Sequence, residues 1–221
     1  MIDPADINLA EFLVNWFGQP DPVEHIEVDR AWLPDPLREW YGLADRWEQL
    51  RATGFRVYDP RQIRVNEGKA EFASDSTGDW FWAFDAADPN AVYETELRGE
   101  WDLVPETLSE FLVHLTLAAT ADSADCSRLC SQVPNDVLPE ILSTLDQVDF
   151  GGWKWPRPGH LTFMSETLIA DIAPAMDFKA PWRTRDGFST VSVSATTPQA
   201  LEHLDEISSV KWIARPSLDG S

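Results

Sequence analysis

Residues 79–115, DWFWAFDAADPNAVYETELRGEWDLVPETLSEFLVHL, decide the fold class of this 221-residue chain. Trp80, Trp82 and Phe84 alternate with Phe81, Ala83 and Asp85, the two-residue period of a strand with a heavy aromatic face. A turn at Asp88-Pro89-Asn90 leads to a second short strand over 91–97, with Tyr93 in its middle. Thr107-Leu-Ser-Glu110 reads as a capping box, opening an amphipathic helix through Leu108, Phe111, Leu112 and Leu115 that is expected to end near Ala119. No nucleophile, metal cluster or phosphate loop lies within the stretch.

The rest of the chain extends this pattern upstream. Leu9, Phe12, Leu13, Trp16 and Phe17 stand at helical spacing, and Gly18 with Pro20-Asp21-Pro22 ends that helix. Leu33-Pro34-Asp35-Pro36 opens a second helix, with Asp35 as its expected N-cap and Pro36 in the first turn, where its missing N–H costs nothing. Leu37, Trp40, Tyr41, Leu43, Trp47 and Leu50 form its apolar stripe, with a break expected at Gly42 and a stop at Thr53-Gly54. Strands at 62–65 and 69–73 flank the turn Asn66-Glu67-Gly68, and Asp75-Ser76-Thr77-Gly78 turns into the aromatic strand. Connections this short favour antiparallel pairing.

Residues 122–125 read as a linker. Beyond them a helix is expected over 136–146, a Trp/Pro/Gly loop over 151–159, and strands at 161–163, 167–172, 188–195 and 210–214. A further helix over 198–206 has Thr197 as its expected N-cap. The fold class is therefore α+β: an antiparallel sheet of four or more strands flanked by helices over 1–121. A smaller α+β extension over 122–221 either docks on that sheet or continues it.

Composition excludes several functions. With 38 acidic and 17 basic residues the formal charge is −21, which disfavours nucleic acid and anionic membranes and attracts basic partners. No run of about eighteen apolar residues occurs, so no membrane span is expected. The N-terminal MIDPADINLAEFLVNWFG lacks the basic region and cleavage site of a secretory signal, and a cytoplasmic location is expected. Cys126 and Cys130 make no disulfide framework, and no Cys or His near them completes a zinc site; the nearest, His114, stands twelve residues upstream of Cys126. No metal or cofactor is expected. His25, His114, His160 and His203 are scattered, with His114 reading as a packed or boundary residue of the capped helix. Ser165 and Ser189 lack the context of an activated nucleophile.

The order of landmarks resembles the SUKH superfamily (Smi/Knr type) over roughly residues 8–121. The resemblance rests on Leu33-Pro34 followed by Leu37, Trp40 and Tyr41, then the aromatic strand at 79–85, Val92-Tyr93, Trp101, and the helix opened by Thr107, Glu110, Phe111 and Leu112. Where many members carry an Asn-Gly-Gly-type turn, this chain has Tyr41-Gly42-Leu43-Ala44. For bacterial members the resemblance implies a non-enzymatic immunity protein that neutralises a cognate toxin domain, often a nuclease. Eukaryotic relatives imply an alternative, a regulatory or scaffolding module with a non-toxin partner.

The candidate contact residues for a basic toxin follow from residue type. Asp75, Asp79, Asp85, Asp88, Glu94, Glu96, Glu100 and Asp102 crowd one stretch; Asp85, Asp88, Glu94 and Glu96 are expected as its solvated fringe, with Glu94 and Glu96 on one face of their strand. Paired carboxylates also suit glycoside hydrolysis, but nothing marks one pair out. Trp153 and Trp155, in a loop rich in Pro and Gly, are expected as exposed aromatic anchors.

Overall fold

The computed structural model describes residues 1–20, 30–51, 54–155, 158–177 and 183–214. Asp21, Pro22, His25 and Thr53, named above, lie outside the described residues. The chain forms two compact units. The first is Pro4–Ser123 with Phe150–Trp155, and the second is Met1–Asp3, Ala124–Asp149 and Pro156–Ser221. The boundary thus falls at Ser123/Ala124, and two short segments leave the sequence order: the N-terminal three residues and the six around Trp153.

In the first unit, α1 (Leu9–Phe17) is capped by Asn8, whose Oδ1 accepts from the Ala10 and Glu11 N–H groups at 3.1 and 3.3 Å. These are backbone donors that a helix start leaves unpaired. α2 (Asp35–Ala44) begins one residue earlier than expected. Pro34 occupies the cap position, and the Asp35 side chain pairs with Arg38 instead of capping. Gly42 is exposed and does not break the helix, since the face that packs is Leu37, Trp40, Tyr41 and Ala44. Trp47 and Leu50 are buried beyond its end, Leu50 in a 3-10 turn, Glu48–Arg51.

Six antiparallel strands follow: β1 (Phe55–Val57), β2 (Arg64–Asn66), β3 (Lys69–Asp75), β4 (Trp80–Asp85), β5 (Ala91–Glu96) and β6 (Asp102–Thr107), in the order β1-β3-β4-β5-β6 with β2 also on β3. β1 and β2 lie end to end along β3, registering Phe55 with Asp75 and Arg64 with Glu71. The β2–β3 hairpin turns through Glu67 and Gly68 at φ of 50° and 78°, the paired positive values of a type I′ turn. The next turn is organised by Asp75, whose Oδ1 accepts from the N–H groups of Gly78, Asp79 and Trp80. β1 and β6 were not expected; three residues of mixed character in one and a central Pro105 in the other carry no clear two-residue period.

Trp82 and Phe84 face α3 (Leu108–Ser123), which is buried on most of its circumference. Phe111 of α3 meets Phe72 and Trp82 with ring centroids 5.7 and 5.9 Å apart. On the opposite sheet face Phe81 is covered by the Arg98 guanidinium, 4.2 Å from its ring centre. The capping box forms as read: Glu110 Oε2 accepts from the Thr107 N–H at 2.7 Å, and the Glu110 N–H donates to Thr107 Oγ1 at 3.3 Å. α3 begins directly after Thr107, because Glu106 and Thr107 are the last two residues of β6.

The second unit carries its own sheet rather than continuing the first. β7 (Cys126–Pro134), β8 (Asp146–Gln147), β9 (Leu161–Met164), β10 (Leu168–Met176), β11 (Thr184–Ala195) and β12 (Ile213–Ala214) pair antiparallel in the order β12-β7-β11-β10-β9-β8. The expected helix over 136–146 contracts to α4 (Leu138–Ile141), and that over 198–206 to a 3-10 turn followed by α5 (Glu202–Asp205). Thr197 makes no capping bond through its side chain. Val133, Ala170, Ile172, Val191 and Val193 pack with Leu201, Leu204 and Ile207 as the core of this unit. Cys126 and Cys130 lie on β7, a strand absent from the sequence reading, and both are free thiols. Ile2 bridges Val148 in parallel, its N–H donating to the Gln147 carbonyl at 2.7 Å.

Candidate functional site

The six expected contact residues do not form one surface. Asp85 closes β4 and Asp88 lies in the β4–β5 turn. The Asp85 carboxylate takes Lys69 Nζ at 2.7 Å and the Ala87 N–H at 2.8 Å. That lysine, then the backbone donors, hold its carboxyl below the usual range. Asp88 is exposed at the tip, its carboxylate accepting from the Asn90 N–H at 3.4 Å. Glu96 is exposed at the far end of β5, about 17 Å of strand away.

Glu94 is a correction. Only 2% of it is exposed, because β5 turns it toward the strip of chain 150–155. Its two carboxyl oxygens accept the Lys154 N–H at 3.0 and 3.1 Å, and Oε2 also takes Trp80 Nε1 at 3.3 Å. Burial is the largest influence on this carboxyl and pushes its pKa up, against the opposing pull of those donors. Glu94 is therefore a fastening for backbone and not part of a solvated fringe.

Trp153 and Trp155 are corrections of the same kind. Trp153 is 6% exposed and meets Phe111 at 4.7 Å, Phe55 at 5.6 Å and Trp82 at 5.7 Å between ring centroids. Trp155 is half-buried against Phe55 at 4.6 Å. The loop returns to the core because two glycines let it. A Cβ on Gly151 would stand 2.7 Å from Pro105 Cβ, and Gly152 holds φ at +81°. Lys154 continues outward and pairs with Asp102 at 2.7 Å.

Beneath this strip lies a pair the sequence reading did not join. His114 Nδ1 hydrogen-bonds to Glu106 Oε1 at 2.9 Å, and the same oxygen accepts the Gly152 N–H at 2.9 Å. The imidazole is sandwiched between Phe150 and Trp153, whose rings stack on it at 4.0 and 3.9 Å. A histidine and a carboxylate at this distance have the elements of an acid–base pair. Here both are buried and roofed by rings, so the arrangement orients the returning strip. The signal available in sequence was weak: an acid closing a strand and a histidine eight residues on, two helical turns into an apolar face.

Of the expected contact residues, those fully exposed are the acids Asp88 and Glu96. Glu67 and Asp88 are exposed on adjacent hairpin tips, joined where the Ala86 N–H donates to the Gly68 carbonyl at 2.8 Å. Glu96, Glu100 and Asp102 are exposed at the opposite end of the sheet. These two acidic ends, separated by the length of the strands, are the candidate contact surfaces. Among the described residues no three His, Cys, Asp or Glu side chains gather as a metal site, and no helix is long and apolar enough to cross a membrane. Set against family models, curated proteins and solved structures, the chain matches none.

Proposed function

We propose that this chain is a non-enzymatic protein-binding module that acts in the cytoplasm, neutralising a basic toxin domain in the manner of SUKH-type immunity proteins. One observation carries the reading: of the acidic residues singled out, those left exposed stand on the hairpin tips and strand ends of an antiparallel sheet, in a chain of net charge −21. Carboxylates so placed speed the encounter with a basic surface and add specificity once docked. The buried His114–Glu106 pair is sealed under aromatic rings, a placement that supports an organising role over turnover.

The test is co-expression with the toxin encoded beside this chain's gene, followed by association kinetics. Cells should survive only with this protein present. Reversal of charge at Glu67 and Asp88, or separately at Glu96 and Glu100, should slow association and flatten its dependence on salt, identifying the end that docks. Absence of protection, or unchanged kinetics in both variants, would remove this reading.

A further inference from the structure

A cavity of about 350 Å³ opens in the first unit between α2, the 3-10 turn Glu48–Arg51, β1 and the chain just beyond it. Its volume lies within the range of small-molecule sites. Trp40, Leu50 and Phe55 supply apolar wall, and Arg30, Arg51 and Arg56 stand around it. Three arginines at one cavity are a concentration of positive charge in a chain with only 17 basic residues.

Among the described residues, the two acids beside these arginines are already engaged. Asp45 takes Arg30 at 2.7 Å and also pairs with Arg51. Asp59 is held by Arg61 through Nε at 2.8 Å and a second nitrogen at 2.9 Å, which brings its pKa down to about 2. Arg56 makes no ion pair among the described residues; its guanidinium lies 6.0 Å from the Tyr58 ring centre. Among the described residues, Arg30, Arg51, Arg56 and Arg61 stand against Asp45 and Asp59, which leaves positive charge over.

Arg30 shows where an anion would sit. Its guanidinium lies 5.1 Å over the Tyr41 ring, with one terminal nitrogen committed to Asp45. Its Nε is buried and has no acceptor. Buried donors are paired as a rule, and this one, unpaired, belongs to a residue that lines the cavity. The Nε edge of arginine is also the edge that grips a carboxylate or phosphate at two points. The Tyr41 hydroxyl donates to the Tyr58 carbonyl, and burial raises its pKa, so it adds no competing negative charge.

We propose that this cavity binds a small organic oxyanion, a carboxylate or phosphomonoester on a flat apolar group. The oxyanion meets the Nε edge of Arg30 and the guanidinium of Arg56, and the apolar group rests on Trp40, Leu50 and Phe55. This site is independent of the acidic ends of the sheet, and a protein that failed to bind a toxin could still possess it.

Titration of the full chain with phenylacetate, phenyl phosphate and benzyl alcohol, followed by calorimetry and amide chemical shifts, tests the site. At least one of the two anions should saturate, with shifts centred on the cavity; the tighter of them identifies the head group. Benzyl alcohol, which keeps the ring and lacks the charge, should bind at least about tenfold more weakly. Arg56→Ala, at an exposed position, and Arg30→Lys, which keeps the charge but loses the Nε edge, should each weaken the anion by a similar factor. Arg64→Ala, outside the cavity, should change nothing. Saturation by neither anion, equal affinity for benzyl alcohol, or wild-type binding by either arginine variant overturns the proposal.

Discussion

His114 and Glu106, eight residues apart in sequence, meet at 2.9 Å in the interior of the first unit. The bond spans the junction of β6 and α3, and the same Glu106 oxygen holds the Gly152 N–H. One carboxyl oxygen thus fixes the ring of a helix residue and the backbone of a returning strip. Removing it with Glu106→Ala leaves two buried groups without a partner and should cost about 2–4 kcal/mol, measured by urea unfolding. Glu106→Gln, which keeps an oxygen in that place, should lose less. Equal losses in both variants would count against the geometry described.

Glu94 makes stability depend on pH in the direction opposite to Asp59, Asp75, Asp85 and Asp205. Burial raises its pKa above the ordinary 4.5, so within the window between those values the folded protein binds more protons than the unfolded one. Stability is then highest below the window and falls as pH rises through it. Asp75, Asp85 and Asp205 are held below their ordinary 3.8 and lose their contribution only as pH falls under that value. Lowering the pH from about 7 to about 5 should therefore stabilise the wild type more than Glu94→Gln. Parallel stability profiles for the two proteins would contradict this.

Trp153 and Trp155 separate a core role from a contact role. Truncation of the buried Trp153 to Ala should cost about 3–5 kcal/mol, since the cavity left among Phe55, Trp82 and Phe111 closes only in part. Trp155→Ala, at a half-buried site, should cost less. A Trp153→Ala protein as stable as the wild type, in thermal or chemical unfolding, would return that residue to the surface.

The capping box at the start of α3 is a coupled unit. Thr107 and Glu110 exchange bonds reciprocally, so Thr107→Ala and Glu110→Ala should each cost about 1 kcal/mol. The double variant should cost less than the two losses added, because either change breaks the shared bonds. Additive losses in a double-mutant cycle would show the two residues acting separately.

Local chemistry made much of the fold legible. Apolar spacing over Leu9–Phe17, the Asn66-Glu67-Gly68 turn, alternation through Trp80–Asp85 and the Thr107/Glu110 pair each depend on residues within about one turn or hairpin of one another. Elements lacking that local signature were missed: β1 is too short, β6 is interrupted by Pro105, and β7 spreads Cys, Ser and Arg over nine residues. The candidate site was less legible than the fold. Asp88 and Glu96 are exposed, whereas Glu94 and Trp153 are buried.

The sequence by itself determined the α+β class, the antiparallel pairing, the capped helix and the strongly acidic charge, because periodicity, turn chemistry and titratable groups act over short range or by simple sum. Only the tertiary structure decided which acids and tryptophans meet solvent. The strip around Trp153 is remote in sequence from Glu94, Glu106 and His114, yet it covers them, and burial depends on what folds over a residue and not on its neighbours in the chain. The same physical reason separates the two acidic ends of the sheet and draws Arg30, Arg51 and Arg56 around one cavity.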